Sequence, residues 1–182
     1  LDVSAGATVR GFGDASMGDT TVGDITIVAG DNTGSWTVSI SEDAQANTGN
    51  ATIGNILIGD VSVVAGESHD SSDFDIDRSA TVSATGDAMV GDFTIGDISV
   101  TLGDFGNSTE FTLEQSADAA SGNASAGSMT IGDIAFDIGE DSTVDIDIEN
   151  AAEASGGDAT VGDVMIGDIA VAQASGAGFA LR

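Results

Sequence analysis

The chain has 182 residues, with 31 Asp and Glu against 3 Arg and no Lys, and a formal charge of −28. That balance leaves no basic face to displace counterions from nucleic acid or to hold an anionic membrane surface, so cations are the natural electrostatic partners. Cys, Pro and Tyr are absent and His69 is the single His, which excludes a His/Cys zinc site and a disulfide framework.

Residues 1–12 read as a partial unit, alternating at Leu1-Asp2-Val3 and Ala7-Thr8-Val9. Gly13-Asp14 opens the first full unit, 13–48. It continues through Gly18-Asp19 to the block Val22-Gly23-Asp24-Ile25-Thr26-Ile27, a Gly/Asp/Asn/Ser-rich turn and the alternating run Trp36-Thr37-Val38-Ser39-Ile40. A stretch containing Ala44 and Ala46 leads to the next Gly-Asn step at Gly49-Asn50. The same order repeats over 49–85, 86–121 and 122–156, and again in the partial unit 157–182. The central Asp of the block falls at Asp24, Asp60, Asp97, Asp133 and Asp168, separated by 36, 37, 36 and 35 residues. Five residues upstream stand Asp19, Asn55, Asp92, Ser128 and Asp163, and five further upstream Asp14, Asn50, Asp87, Asn123 and Asp158.

Alternation at period two is the strand signal, and Gly, Thr, Val, Ile, Ser and Asp disfavour helix throughout. The reading is all-β, with one repeat array over 1–182: five copies of a ~36-residue unit forming a tandem-repeat β-solenoid or stacked β-arches, without significant helix. Each unit is expected to contain several strands of about three to five residues, too short to enclose a core except by stacking unit on unit. Stacking places like residues in columns such as Ile25, Val61, Ile98, Ile134 and Ile169, expected to point inward. Trp36, Phe74, Phe111 and Phe179 join that core. The Gly-Asp steps are read as corners, with Gly for a positive φ and Asp or Asn bonding the amide two residues on. Acidity alone can signal disorder, but 41% hydrophobic residues and charge held at fixed positions indicate an ordered surface.

In-register stacking sets equivalent Asp side chains about 4.8 Å apart, where two exposed charges repel by about 1 kcal/mol in water. Bridging by Ca²⁺ would relieve this, with Asp24, Asp60, Asp97, Asp133, Asp168, Asp19, Asp92 and Asp163 as candidate ligands. Solvated corners, with each carboxylate held by a backbone amide, are the alternative. Enzyme chemistry is not expected. His69 lies in a turn-like stretch without a counterpart in the other units, carboxylate pairs could be assembled anywhere from so many Asp, and the Gly-rich steps precede no helix. No run of 18 apolar residues is present, so membrane insertion is not expected.

The two ends share a strand type: Leu1-Asp2-Val3 matches Phe74-Asp75-Ile76, and Phe179-Ala180-Leu181 matches Phe111-Thr112-Leu113. Neither end shows an atypical polar cap, so homopolymerisation through the end strands, at Leu1, Val3, Phe179 and Leu181, is expected. Without an initiator Met or leader, the chain reads as mature and processed, placed outside the cell or on its surface.

The Gly-Asp steps on short strands resemble the calcium-binding RTX β-rolls, with a step of five residues where that family uses nine and Gly-Gly only at Gly156-Gly157. The five-residue step is also similar to that of pentapeptide-repeat solenoids. The long unit and uncapped ends resemble biofilm fibre subunits of the curli and Fap functional-amyloid type, which implies an extracellular self-assembling filament. The expected function is a structural subunit of such a filament or matrix, built by head-to-tail stacking and possible calcium stabilisation. The alternative is a calcium-binding segment of a cell-surface adhesin.

Overall fold

The computed structural model describes residues 2–31, 34–67, 71–104 and 106–182; Leu1 and His69 lie outside them. The described residues form strands and turns without helix, as the composition requires. The first copy contributes β1 (Asp2–Phe12), β2 (Ala15–Met17), β3 (Thr20–Val22) and β4 (Ile25–Ala29). The second contributes β5 (Thr37–Thr48), β6 (Ala51–Ile53), β7 (Ile56–Ile58) and β8 (Val61–Ala65). Then follow β9 (Ser72–Thr85), β10 (Ala88–Val90), β11 (Phe93–Ile95) and β12 (Ile98–Leu102), and β13 (Ser108–Ala119), β14 (Ala124–Ala126), β15 (Met129–Ile131) and β16 (Ile134–Ile138). The last copy gives β17 (Thr143–Ala154), β18 (Ala159–Val161), β19 (Val164–Ile166), β20 (Ile169–Gln173) and β21 (Gly178–Leu181).

Every strand pairs in parallel with its equivalent one copy away. Three sheets of five strands collect the short strands, and a sheet of six, ordered β1-β5-β9-β13-β17-β21, collects the long ones. The result is a β-solenoid with one long wall and three short walls. The long wall departs from the expected short strands. The Ala-containing stretch is not a link but the second half of one strand, as in Ser108–Ala119, where Ala117 and Ala119 continue the inward alternation begun by Phe111 and Leu113.

Burial explains the residue choice along that wall. Its first half faces the two walls containing β7 and β8 across a wide interior filled by Ile40, Phe74, Ile76, Phe93, Phe111, Leu113 and Ile98, all fully buried. Ring centroids step through this region from Phe74 to Phe111 at 5.3 Å, Phe111 to Phe136 at 6.4 Å and Phe136 to Phe179 at 5.4 Å. The second half meets the wall containing β6, and there the inward residues are small: Ala44, Ala80, Ala117, Ala51, Ala88 and Ala124. Small side chains let these backbones approach closely, which pinches the cross-section at one end.

The Ile25 column runs as expected, through Val61, Ile98 and Ile134, all buried. Its last member, Ile169, is 43% exposed because no further copy covers it. Trp36 and Phe179 are half-buried against the same core.

Candidate functional site

The Gly-Asp steps do form corners, the first of each copy between the long wall and a short wall and the next two between short walls, but the bond made there is not the local one expected. Each acidic or amide side chain accepts a hydrogen bond from the backbone N–H of its counterpart one copy later. The Asp24 column runs through Asp60 N–H to Asp24 Oδ1 at 3.1 Å, Asp97 to Asp60 at 3.0 Å, Asp133 to Asp97 at 2.9 Å and Asp168 to Asp133 at 2.9 Å. In the column upstream, Asp19 Oδ1 holds the Asn55 amide at 2.8 Å, Asn55 Oδ1 holds that of Asp92 at 2.9 Å, and Asp92 Oδ1 that of Ser128 at 2.9 Å. The column through Asp14, Asn50, Asp87, Asn123 and Asp158 repeats the pattern with distances of 2.7–3.0 Å. Amide and carboxylate oxygens accept equally well, so Asn and Asp interchange here.

This bond also explains the glycines. At Gly59, Gly96, Gly132 and Gly167 a Cβ would lie 2.2–2.4 Å from the Oδ1 of the preceding Asp, so Gly makes room for the carboxylate rather than supplying a positive φ. Only the first corner needs both: Gly86 has φ 143, and a Cβ there would sit 2.0 Å from the Gly49 carbonyl oxygen. A fourth column was hidden in the turn region. Glu67 N–H donates to Asp31 Oδ1 at 3.1 Å and Glu140 N–H to Asp104 Oδ1 at 2.7 Å. The Gly-acid steps Gly30-Asp31, Gly66-Glu67, Gly103-Asp104 and Gly139-Glu140, at the common period, were its signal.

The eight sequence-expected calcium ligands therefore occupy two corner columns. Asp24, Asp60, Asp97, Asp133, Asp19 and Asp92 each hold the next amide in their column, whereas Asp163 and Asp168 end them. Among the described residues, no group of three or more His, Cys, Asp or Glu side chains is placed to hold a metal ion.

Charge is densest on the outer face of the long wall instead. Asp77, Glu114 and Glu149 stand in one register column, and Asp75 and Asp147 in the next. Partial burial, reinforced by Asp75 and Asp43, raises the Asp77 carboxyl above its ordinary range. Glu114 is raised by desolvation and then by Glu149, Asp77, Asp147 and Asp75. Both shifts record desolvation first and repulsion between neighbouring carboxylates second.

The interior carries a polar column that the sequence reading missed: Glu42, Arg78, Gln115 and Asn150, one in each copy after the first, which has Ala5 at this register position. It lies where corner carbonyls point inward and need donors. Arg78 is fully buried, and its Nε donates to Glu42 Oε2 at 2.7 Å. Its Nη1 donates to the carbonyls of Gly91 at 3.2 Å and Asp92 at 3.3 Å and to Gln115 Oε1 at 3.1 Å, and its Nη2 to the Gly54 carbonyl. Gln115 Nε2 donates to the Gly127 carbonyl at 2.8 Å, and Asn150 Nδ2 to those of Gly127 at 2.9 Å and Gly162 at 3.3 Å. Burial pulls the Arg78 guanidinium below its ordinary range, opposed by its bond to Glu42. Glu42 Oε1 is buried without a hydrogen-bond partner.

The remaining candidate is the pair of end faces. β1 and β21 are the two edge strands of the long wall, so first and last strands share a strand type as expected. The residue match at the C-terminal end is corrected by two positions. Phe179 pairs with Val144 and Leu181 with Ile146, which stand in the columns of Thr109 and Phe111, not of Phe111 and Leu113. Leu1 lies outside the described residues, while Val3 pairs with Ile40 as anticipated. At the last copy the inward columns stop with Val161, Val164, Ile169 and Val171, each 37–46% exposed. Comparison with protein-family models, with curated proteins and with solved structures returned no match.

Proposed function

We propose that this chain is a structural subunit of an extracellular self-assembling filament or matrix, built by head-to-tail stacking of its β coils. The observation that carries the reading is the stacking itself: every strand pairs in parallel with its equivalent one copy away, so each coil presents one edge to the coil before it and a complementary edge to the coil after it. An exposed strand edge backed by apolar surface is a template for another strand. Because the two edges of a coil differ, a contact between them is heterologous and propagates. The charge of −28 opposes association, so salt or divalent cations favour it by screening. Sedimentation of the 182-residue chain across salt concentrations, followed by negative-stain microscopy, tests this: filaments in high salt support it, and a monomer at every salt concentration refutes it.

The crowded carboxylates around Asp77 and Glu114 favour a second reading, a calcium-stabilised segment of a cell-surface adhesin. That reading requires a monomer whose melting temperature rises with millimolar Ca²⁺ and falls in EDTA.

A further inference from the structure

Three stretches of the chain read Asn-x-Ser/Thr, the acceptor pattern for N-linked oligosaccharide: Asn50-Ala51-Thr52, Asn107-Ser108-Thr109 and Asn123-Ala124-Ser125. In extended chain the Asn and the hydroxyl residue two positions on share a face, so each stretch presents both groups inward or both outward. Asn107 and Thr109 face inward and are 2% and 3% exposed. Asn107 Nδ2 donates to the carbonyls of Gly103 at 2.8 Å and Gly66 at 3.2 Å, so the atom that would carry a sugar is buried and bonded. The other two stretches face the opposite way. Ala51 and Ala124 are inward residues of β6 and β14, which puts Thr52 and Ser125 on the outer face of that wall, next to the corner where Asn50 and Asn123 stand.

The corner bond fixes where the amide nitrogen goes. Asn50 Oδ1 accepts the Asp87 N–H and Asn123 Oδ1 the Asp158 N–H, both at 3.0 Å. An N–H donor requires the oxygen of the side-chain amide, which leaves Nδ2 as its other, unused atom. Among the described residues neither Nδ2 has a hydrogen-bond partner; Asn123 is exposed and Asn50 half-buried. A sugar on Nδ2 leaves Oδ1 in place, so the corner bond survives the modification. Asp14 and Asp87 make the same bond in this column, and what Asn adds to it is the nitrogen. Asn55 is an internal control. Its Oδ1 holds the Asp92 amide at 2.9 Å in the same manner, but the residue two positions on is Leu57, outward and 50% exposed, in place of a hydroxyl.

We propose that Asn50 and Asn123 are attachment sites for N-linked oligosaccharide. The donor class is an oligosaccharide carried on a lipid diphosphate. A bond forms between Nδ2 and C1 of the first sugar, the bond from C1 to the diphosphate oxygen breaks, the lipid diphosphate leaves, and one amide proton passes to solvent. The two sites lie on one corner column and two coils apart, about 9.6 Å, with Asp87 of the intervening coil between them. They require passage through a glycosylating secretory route, and so rest on the extracellular part of the filament reading but not on assembly.

Secretion of the full chain from a cell line that transfers dolichyl-diphosphate-linked oligosaccharide tests the assignment. Sites are read by mass spectrometry after enzymatic release in isotopically labelled water, which marks each occupied Asn as a labelled Asp. The folded, secreted chain is expected to carry sugar at Asn50 and Asn123 and none at Asn55 or Asn107. Thr52→Ala and Ser125→Ala, both on the outer face, are each expected to remove one oligosaccharide and to leave the circular dichroism spectrum unchanged. Leu57→Thr supplies the missing outward hydroxyl and is expected to add one at Asn55. A folded chain bare at both Asn50 and Asn123, one carrying sugar at Asn107, or a Leu57→Thr chain that stays bare at Asn55 overturns the assignment. Sugar at the two sites of a chain that stays monomeric in high salt supports the sites and refutes the filament; filaments of a secreted chain bare at both sites do the reverse.

Discussion

Replacing Arg78 by Met tests the interior. The side chain is fully buried and donates to Glu42, Gln115 and the carbonyls of Gly54, Gly91 and Asp92. Met fills similar volume but donates nothing, so the buried Glu42 carboxylate loses the guanidinium paired with it. Breaking a buried pair from one side costs about 3–5 kcal/mol. For a chain of this length that corresponds to a fall in melting temperature of about 6–20 °C. The double variant Glu42→Leu/Arg78→Met removes the stranded charge and is expected to recover more than half of the loss. The remainder is the loss of a donor at the Gly54 and Gly91 carbonyls, whereas the Asp92 carbonyl keeps the Ile56 N–H at 2.9 Å. Thermal and urea unfolding followed by circular dichroism read both variants. An Arg78→Met chain that melts within about 2 °C of wild type, or a double variant no more stable than the single one, would show that Glu42 does not depend on Arg78.

Ile98→Asp places a charge in a fully buried column between Val61 and Ile134, a cost of several kcal/mol, and is expected to abolish folding; a soluble variant with unchanged melting contradicts the inward assignment. Asp97→Asn keeps the oxygen that accepts the Asp133 amide and is expected to shift stability by less than about 0.5 kcal/mol, whereas Asp97→Ala loses about 1–3 kcal/mol. If corner amides alone satisfy these carboxylates, EDTA leaves the melting curve unchanged; a drop in EDTA that Asp97→Asn weakens supports calcium instead. The raised carboxyls of Asp77 and Glu114 bind protons more tightly in the folded chain, so their contribution to stability is complete below the ordinary carboxylate range and is lost as pH rises through their raised values. Urea midpoints are therefore expected to be less pH-sensitive across that window in Asp77→Asn/Glu114→Gln than in wild type; identical pH profiles would show that these two carboxyls are not raised in the folded chain.

Much of the architecture was legible because it rests on like residues one period apart. The Ile25 and Asp24 columns need only the repeat to be found, and the period alone implies stacking. The direction of the Asp bond was not legible, because an Asp two residues from an amide in sequence and an Asp one coil from an amide in space look identical in a list of residues. The close approach at Gly96, where a Cβ would meet the Asp60 carboxylate, exists only once coils are stacked. The polar column escaped notice for the opposite reason. Glu42, Arg78, Gln115 and Asn150 share a position but not a residue type; for the last three, what recurs is donation to an inward corner carbonyl. Their signal was the inward phase of the strand, with Glu42 two residues from both Ile40 and Ala44. The C-terminal match slipped by two because a shift of two preserves the inward and outward faces, and Phe179-Ala180-Leu181 copies the residue types of Phe111-Thr112-Leu113.

The central claim is that coils of one chain continue into coils of the next along a single axis. X-ray diffraction from aligned filaments of the 182-residue chain measures this directly. A reflection at about 4.8 Å along the filament axis is expected, from strands lying across it, in filaments one solenoid wide. A 4.8 Å reflection perpendicular to the axis, or a chain that stays monomeric at high concentration in salt and Ca²⁺, would contradict it.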